Sequence, residues 1–285
     1  MALDIAKIRN IGMVGHGGVG KTSLVEGMLF VAGAVNRLGR VDDGTTTTDF
    51  DPDEIKRKIS LSTSAAYCDY KGHRLNFVDT PGYGDFISDA RAGLRAVGGA
   101  IVVVDAVAGV QVQTEKVWKM ANDYGLPRIV VINRMDGERA DFSRALDSLQ
   151  RRLKGRLCPL QVPIGAEAGF RGVVDLVKMK AALVADGKPR EAEIPGEVMD
   201  TAKEWREKLT EAVAETDDDL LAKYLEEGSI AEGEMLGALR KAIASGTLVP
   251  VLAAAATGLI GIQPLMDLIV EEFRSPADVG AVEGT

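Results

Sequence analysis

The sequence predicts an α/β fold: a mostly parallel sheet covered on both faces by helices and interrupted by an α+β insertion. Three observations carry that prediction. Short apolar runs of strand length, IRNIGMV, AIVVV, RIVVI and LVPVLA, alternate with segments whose apolar residues recur at helical spacing. Such runs suit strands buried on both faces, as parallel strands are. A glycine-rich stretch, Gly15-His16-Gly17-Gly18-Val19-Gly20-Lys21-Thr22, joins the first run to the first helical segment. From about residue 157 the alternation gives way to short strand-like pieces and then three consecutive helical segments.

Taken in order, residues 8–14 read as a buried strand leading into the glycine-rich turn. After it, Leu24, Val25, Met28, Leu29 and Val31 recur at helical spacing, so a helix opens at the turn and Gly33 helps to end it. Residues 39–60 mix hydroxyls and charges without periodicity and read as a long loop, of a length usually functional or disordered. Residues 61–70 and 73–78 read as an antiparallel pair of strands about Lys71-Gly72, closed by Asp79-Thr80-Pro81-Gly82. Helix over 85–97, strand over 100–104, helix over 113–124, strand over 128–132 and helix over 141–153 follow.

Beyond that point LCPLQVPIG and GVVDLVKMKAALV read as strand-like, and 197–215, 217–226 and 230–244 as helical. The strand over 248–253 and a closing helix over 262–273 resume the earlier rhythm, and the tail reads as a linker without structure of its own. The expected organisation is a first domain part over 1–156, an inserted subdomain over 157–246, a completion over 247–275 and a linker over 276–285 leading to missing downstream domains.

The chain has 285 residues and 46% hydrophobic content, ample for a core. It has no run of 18 apolar residues and no charged-then-apolar start, so no membrane association and a cytoplasmic location are expected. Cys68 and Cys158 lie far apart without histidine companions, which fits reduced core thiols better than a disulfide or a metal site. A net charge of −8 argues against a direct grip on nucleic acid through bulk charge. Residues 191–240 carry 15 acidic and 5 basic side chains, read either as a solvated helical face or as an acidic docking surface.

The glycine-rich stretch fits G-x-x-x-x-G-K-[ST], a phosphate-binding loop, and also G-x-G-x-x-G, a dinucleotide fingerprint. Lys21-Thr22 separates the two readings. A loop that cradles a triphosphate still needs a cation for the β/γ-phosphates and a hydroxyl for Mg²⁺, whereas a dinucleotide site needs neither. The helix N-terminus that follows favours phosphate. Asp79-Thr80-Pro81-Gly82 sets a carboxylate at a strand end, where an outer-shell Mg²⁺ ligand belongs, with the Gly82 N–H within reach of a γ-phosphate; the plainer reading is a strand-ending turn. Asn133-Arg134-Met135-Asp136 follows the RIVVI strand. A carboxylate that accepts two N–H donors from one base edge selects guanine, because adenine presents an acceptor there and would leave polar groups unpaired. The plainer reading of that stretch is a helix N-cap region.

With these three motifs in order, the chain resembles the N-terminal GTPase domain of the bacterial elongation factor G family, in particular its divergent, elongation-factor-G-like paralogues. The likeness runs almost end to end. GRVDDGTTTTDF is similar to the start of the family's first switch and DTPGYGDF to its DTPGHVDF. PIGAEAGFRGVVDLVKMKA resembles the opening of its inserted subdomain, which other GTPases lack, and VPVLAAAATGLIGIQPLMDLIVEEFRSP its last strand, base-binding loop and final helix.

The resemblance implies a P-loop GTPase three-layer fold, GTP/GDP and Mg²⁺ as ligands, and a monomer whose partner is the ribosome, including its stalk protein at the acidic insertion. It implies GTP hydrolysis stimulated by the ribosome. A ribosome-associated GTP switch with little or no hydrolysis, and a ribosomal-protection or release-type factor, remain alternatives. Residue by residue, it implies nucleotide contacts from Gly15, His16, Gly17, Gly18, Val19, Gly20, Lys21, Thr22, Ser23, Asp79 and Gly82. Lys21 would serve the β/γ-phosphates, with Thr22, Ser60 and Asp79 at the metal. Asn133 and Asp136 would take guanine, with the Arg134 stem beside the base in the place of the family's N-K-x-D lysine. Ala255 and Ala256 would reach the base oxygen through backbone N–H groups, although the family has Ser-Ala there. Lys21, Gly82 and Tyr83 are the implied catalytic set. Tyr83 stands where the family has the histidine that orients the attacking water, and Gly18 where it has a loop aspartate.

Overall fold

The structure, a computed structural model, describes residues 4–185 and 188–279. The first half alternates as the periodicity predicts: β1 (Ile8–Gly15), α1 (Lys21–Val31), α2 (Pro52–Arg57), β2 (Ser64–Tyr70), β3 (His73–Asp79), α3 (Ile87–Arg95), β4 (Gly99–Asp105), α4 (Val112–Asp123), β5 (Arg128–Asn133), α5 (Phe142–Arg152). Then come β6 (Arg156–Pro159), β7 (Gln161–Ile164), β8 (Gly172–Asp175), β9 (Lys180–Ala185), β10 (Lys188–Ala192), α6 (Gly196–Ala214), α7 (Asp218–Glu227) and α8 (Glu232–Ser245). β11 (Leu248–Ala253), α9 (Ile262–Glu272) and α10 (Pro276–Val279) end the described chain.

Seven strands form one sheet in the order β2-β3-β1-β4-β5-β11-β6. Only the β2–β3 pair is antiparallel, joined by the tight turn at Lys71-Gly72; the other pairings are parallel. β4, β5 and β11 are buried along their whole length, which is why their sequences read as unbroken apolar runs. One apolar core packs α1 and α9 on one face of this sheet, and a second packs α3, α4 and α5 on the other. β7 to β10 form a separate antiparallel sheet in the order β10-β9-β8-β7. The mostly parallel sheet with helices on both faces, three layers in all, and the inserted antiparallel sheet agree with the predicted fold class.

Local differences have physical causes. β6, at the expected junction near residue 157, is an edge strand of the large sheet, paired with β11. The expected linker begins with α10: Asp278 accepts from both the Ser275 N–H and its hydroxyl at 2.7 Å, a local closure that composition does not reveal. The rest of that linker lies outside the described residues. Residues 39–60, read as a loop, contain a 3₁₀ turn at Val41–Asp43 and the helix α2, whose Asp51 and Glu54 form a capping box behind Pro52. Cys68 and Cys158 are buried free thiols. Among the described residues no helix is long and apolar enough to cross a membrane.

Candidate functional site

The parallel topology brings the C-terminal ends of β1, β3, β5 and β11 to one edge of the sheet, the place where open α/β sheets bind ligands. A cleft of about 450 Å³ lies there, lined by Lys21, Thr22, Ser60, Gly82, Tyr83, Asn133 and Asp136 among others.

Its phosphate-loop end is built from backbone. Gly18 and Gly20 take left-handed φ of 78° and 91°, which only glycine accepts without strain. A Cβ at Gly20 would collide with Asn133 Nδ2, and one at Gly82 with Lys21 Nζ and the Gly17 backbone, so Gly82 lies directly against the loop. Lys21 is buried, and its Nζ donates to His16 O at 2.9 Å and Gly15 O at 3.4 Å. Burial pushes this ammonium down to about 8 while the Asp79 and Asp49 carboxylates oppose the shift. The His16 ring is held below its usual range by burial and by Lys21, and its Nδ1 is buried without a partner. Val19 is buried, and Ser23 sits in the first turn of α1 beside the cleft.

The metal-binding triad expected at this end is in contact. Thr22 Oγ1 donates to Asp79 Oδ2 at 2.7 Å and lies 3.2 Å from Ser60 Oγ. Thr48, which carried no expectation, donates to the same Asp79 oxygen at 2.9 Å. Asp79 Oδ1 is buried with no hydrogen-bond partner. Burial lifts this carboxyl to about 6, against the pull of the Thr22 hydroxyl, Lys21 and Thr48. An orphaned carboxylate oxygen beside two hydroxyls fits a hard, oxygen-seeking divalent cation that retains water and phosphate ligands. Thr22, Ser60 and Asp79 offer oxygen donors alone, a set that suits Mg²⁺ arriving with phosphate ligands.

Tyr83 lies across the loop rather than apart from it. Its ring covers Gly17 so closely that a Cβ there would come within 2.7 Å of Cζ, yet the residue is 40% exposed.

At the other end Asn133 is 1% exposed, and its amide bridges two loops. Nδ2 donates to Val19 O at 2.9 Å and Oδ1 accepts from the Ala256 N–H at 3.1 Å. Asn133 therefore ties the phosphate loop to the 255–257 turn, a positioning role that the sequence reading, which set it against guanine, did not foresee. The Ala255 N–H closes the turn onto Ile260 O at 3.0 Å. Both alanine N–H groups expected at the base oxygen thus have partners inside the protein, because the turn must satisfy its own buried backbone. Asp136 is exposed at the cleft, and the Thr257 hydroxyl donates to its Oδ2 at 3.4 Å. Arg134, at φ 64°, spans from Gly18 O to Asp105 Oδ2, both at 3.3 Å, so its stem runs along the cleft and its head braces the loop.

A family model described as "Elongation factor Tu GTP binding domain" matches residues 6–275. The chain belongs to that family. Within it, the chain is 45% identical to elongation factor G of Thermotoga petrophila over 99% of its length, and 43% identical to that of Thermotoga maritima over the same share. It spans 41% of the length of each of these relatives. A crystal structure from Thermus thermophilus superposes with a TM-score of 0.90 at 39% identity, covering 96% of this chain and 41% of that one.

Several residues of this elongation factor GTP-binding domain escaped the sequence reading. Thr48 and Asp49 are buried at the metal end, in a stretch whose hydroxyls and charges have no period. Glu26 did leave a signal: it is an acidic residue inside a run of helical apolar positions, and it is buried.

Proposed function

We propose that this chain is the nucleotide-binding domain of an elongation-factor-G-like translational GTPase, which binds Mg·GTP and hydrolyses it to GDP and phosphate on the ribosome. The observation that carries the proposal is a single cleft joining Lys21, Thr22, Ser60 and Gly82 at one end to Asp136 at the other. That pairing suits a ligand with charged phosphates and a guanine edge and does not suit a dinucleotide.

In this reading Lys21 leaves the His16 and Gly15 carbonyls for the β/γ-phosphates. Thr22 and Ser60 would hold Mg²⁺ directly and Asp79 through its outer shell; the ion, when bound, supplies positive charge to the phosphate oxygens. Gly82, against the loop, offers its N–H to the γ-phosphate. Asp136 accepts from the guanine edge, and the Arg134 stem flanks the base. Hydrolysis of this class depends on positioning and electrostatics, with water attacking in line. Tyr83 is the residue that would orient that water through its phenol oxygen. Residues 39–60 and 82–86 would order around the γ-phosphate and relax after its release. The insertion over 157–246, acidic in its helices, would dock the ribosomal stalk protein. A monomeric, cytoplasmic protein continuing into further domains completes the proposal.

One observation favours a second reading, a ribosome-associated GTP switch that barely hydrolyses. Tyr83 lies over Gly17 and brings a phenol to the place where the family has an imidazole. Single-turnover phosphate release by the full-length protein, with and without ribosomes, separates the two. Stimulation supports the enzyme. No stimulation, restored by Tyr83→His, leaves a GTP-binding switch and removes the enzyme.

A further inference from the structure

The apolar stripe of α9 ends on a charge. Ile262, Leu265, Met266 and Ile269 are its buried positions, and Glu272, one turn beyond Ile269 at the end of the helix, continues that face at 4% exposed. A carboxylate there is costly twice over: it is out of water, and it lies at a helix C-terminus, where the dipole disfavours negative charge. Its Oε2 is buried and accepts no hydrogen bond among the described residues. Arg240 of α8 places Nε 3.9 Å from that oxygen, beyond hydrogen-bond reach, and its side chain is 62% exposed. Burial lifts the Glu272 carboxyl to about 7, with Arg240 opposing the shift and Glu271 adding to it.

Glu272 lines a cavity of about 210 Å³ at the seam where the insertion meets α9 and β11. Leu160, Val177, Leu236, Leu239, Leu252 and Leu268 give it apolar walls. Two other acids of the wall are already engaged. Asp175 Oδ1 accepts the Val177 and Lys178 N–H groups, and Asp267 Oδ1 accepts from the Tyr70 hydroxyl and Lys71. We propose that this cavity is a binding site for a small alkylammonium ion, whose chain lies against the leucines and whose N–H groups donate to the Glu272 carboxylate. An ammonium supplies the hydrogen bond and the positive charge that the buried acid lacks. An anion would meet that acid as a like charge, and a hard metal ion wants a shell of oxygens that leucine walls do not provide. The site goes beyond the Mg·GTP reading and does not depend on it, because the cavity and the nucleotide cleft share no lining residue.

The test is calorimetric titration of the full chain at about pH 8, above the titration of Glu272, with hexylammonium chloride and with hexanol, its neutral counterpart. The amine should bind the parent chain at least about tenfold tighter than the alcohol. Glu272→Gln keeps the size of the side chain and removes its charge. It should bring the two probes within about twofold of each other, leave the alcohol unchanged and melt no lower than the parent, since the cost of a buried charge is gone. Leu236→Trp, which fills the cavity from α8, should weaken both probes roughly tenfold. No binding of the amine to the parent chain, or equal affinity for amine and alcohol, overturns the inference. So does a preference for the amine that survives Glu272→Gln, or parent affinity for both probes in Leu236→Trp. If one variant loses its cooperative melt, the ratio on the parent chain and the other variant decide. Nucleotide binding is not read in this test, so a failure of the Mg·GTP reading leaves its result intact.

Discussion

The two ends of the cleft are built in opposite ways. At the phosphate end, charged and hydroxyl side chains are buried and engage one another: Lys21 holds loop carbonyls, while Thr22 and Thr48 share Asp79. Desolvation displaces the titration of both Lys21 and Asp79. At the base end the buried Asn133 side chain bridges Val19 O and the Ala256 N–H, and the Asp136 carboxylate at the cleft is exposed. In the proposed Mg·GTP reading, the contrast teaches that the phosphate end exchanges internal partners for ligand, whereas at the base end Asp136 gives up only a long contact from the Thr257 hydroxyl, so binding there takes little rearrangement.

The largest effect expected is from Lys21→Ala, which removes a buried ammonium at the phosphate end. Affinity for GTP and GDP alike should fall by about 10³, the scale of two charge-assisted hydrogen bonds, in a fluorescent-nucleotide titration. A loss under tenfold would mean that the loop backbone alone grips phosphate, and the contrast between the ends would collapse.

Next, Asp136→Ala should weaken GTP by about 10² while leaving ATP nearly unchanged, so that the two nucleotides compete on closer terms. If the parent chain already binds ATP as well as GTP, the base end does not read guanine.

Tyr83→Phe keeps the ring over Gly17 and deletes the hydroxyl. Ribosome-stimulated single-turnover hydrolysis should fall by roughly tenfold to 10², with GDP affinity unchanged. An unchanged rate would assign Tyr83 to covering the loop alone.

A smaller effect comes from pH. The Lys21 ammonium in the nucleotide-free site is pushed down to about 8. Phosphate raises it on binding, so binding above that pH requires proton uptake. GDP affinity should therefore be level between about pH 7 and 8, above the titration of Asp79, and weaken above that range, at most tenfold per unit. Lys21→Arg should remove that alkaline limb even where it lowers affinity, since guanidinium does not titrate there. The smallest effect is Arg134→Lys. The head is 59% exposed and its Asp105 partner lies at 3.3 Å, so GDP affinity should change by less than about threefold in the same titration.

The sequence by itself determined the α/β alternation, because fully buried parallel strands must be apolar along their length and helices must repeat near every 3.6 residues. It also determined which residues meet at the phosphate loop: glycines at 18 and 20, followed by Lys21-Thr22, leave little conformational choice between a strand and a helix. The Asp79 and Asn133–Asp136 motifs were legible for the same local reason, as each follows a strand end. Tertiary structure alone decided what those residues do with their partners. Asn133 became a strut because β5, the phosphate loop and the 255–257 turn converge on it from positions 114 and 123 residues away. The fold of 39–62 was invisible in sequence because its backbone donors are satisfied by Glu26 and Glu54 rather than by a regular ladder. Local pattern records periodicity and special backbone angles; it does not record which distant carboxylate accepts an N–H once the chain has closed on itself.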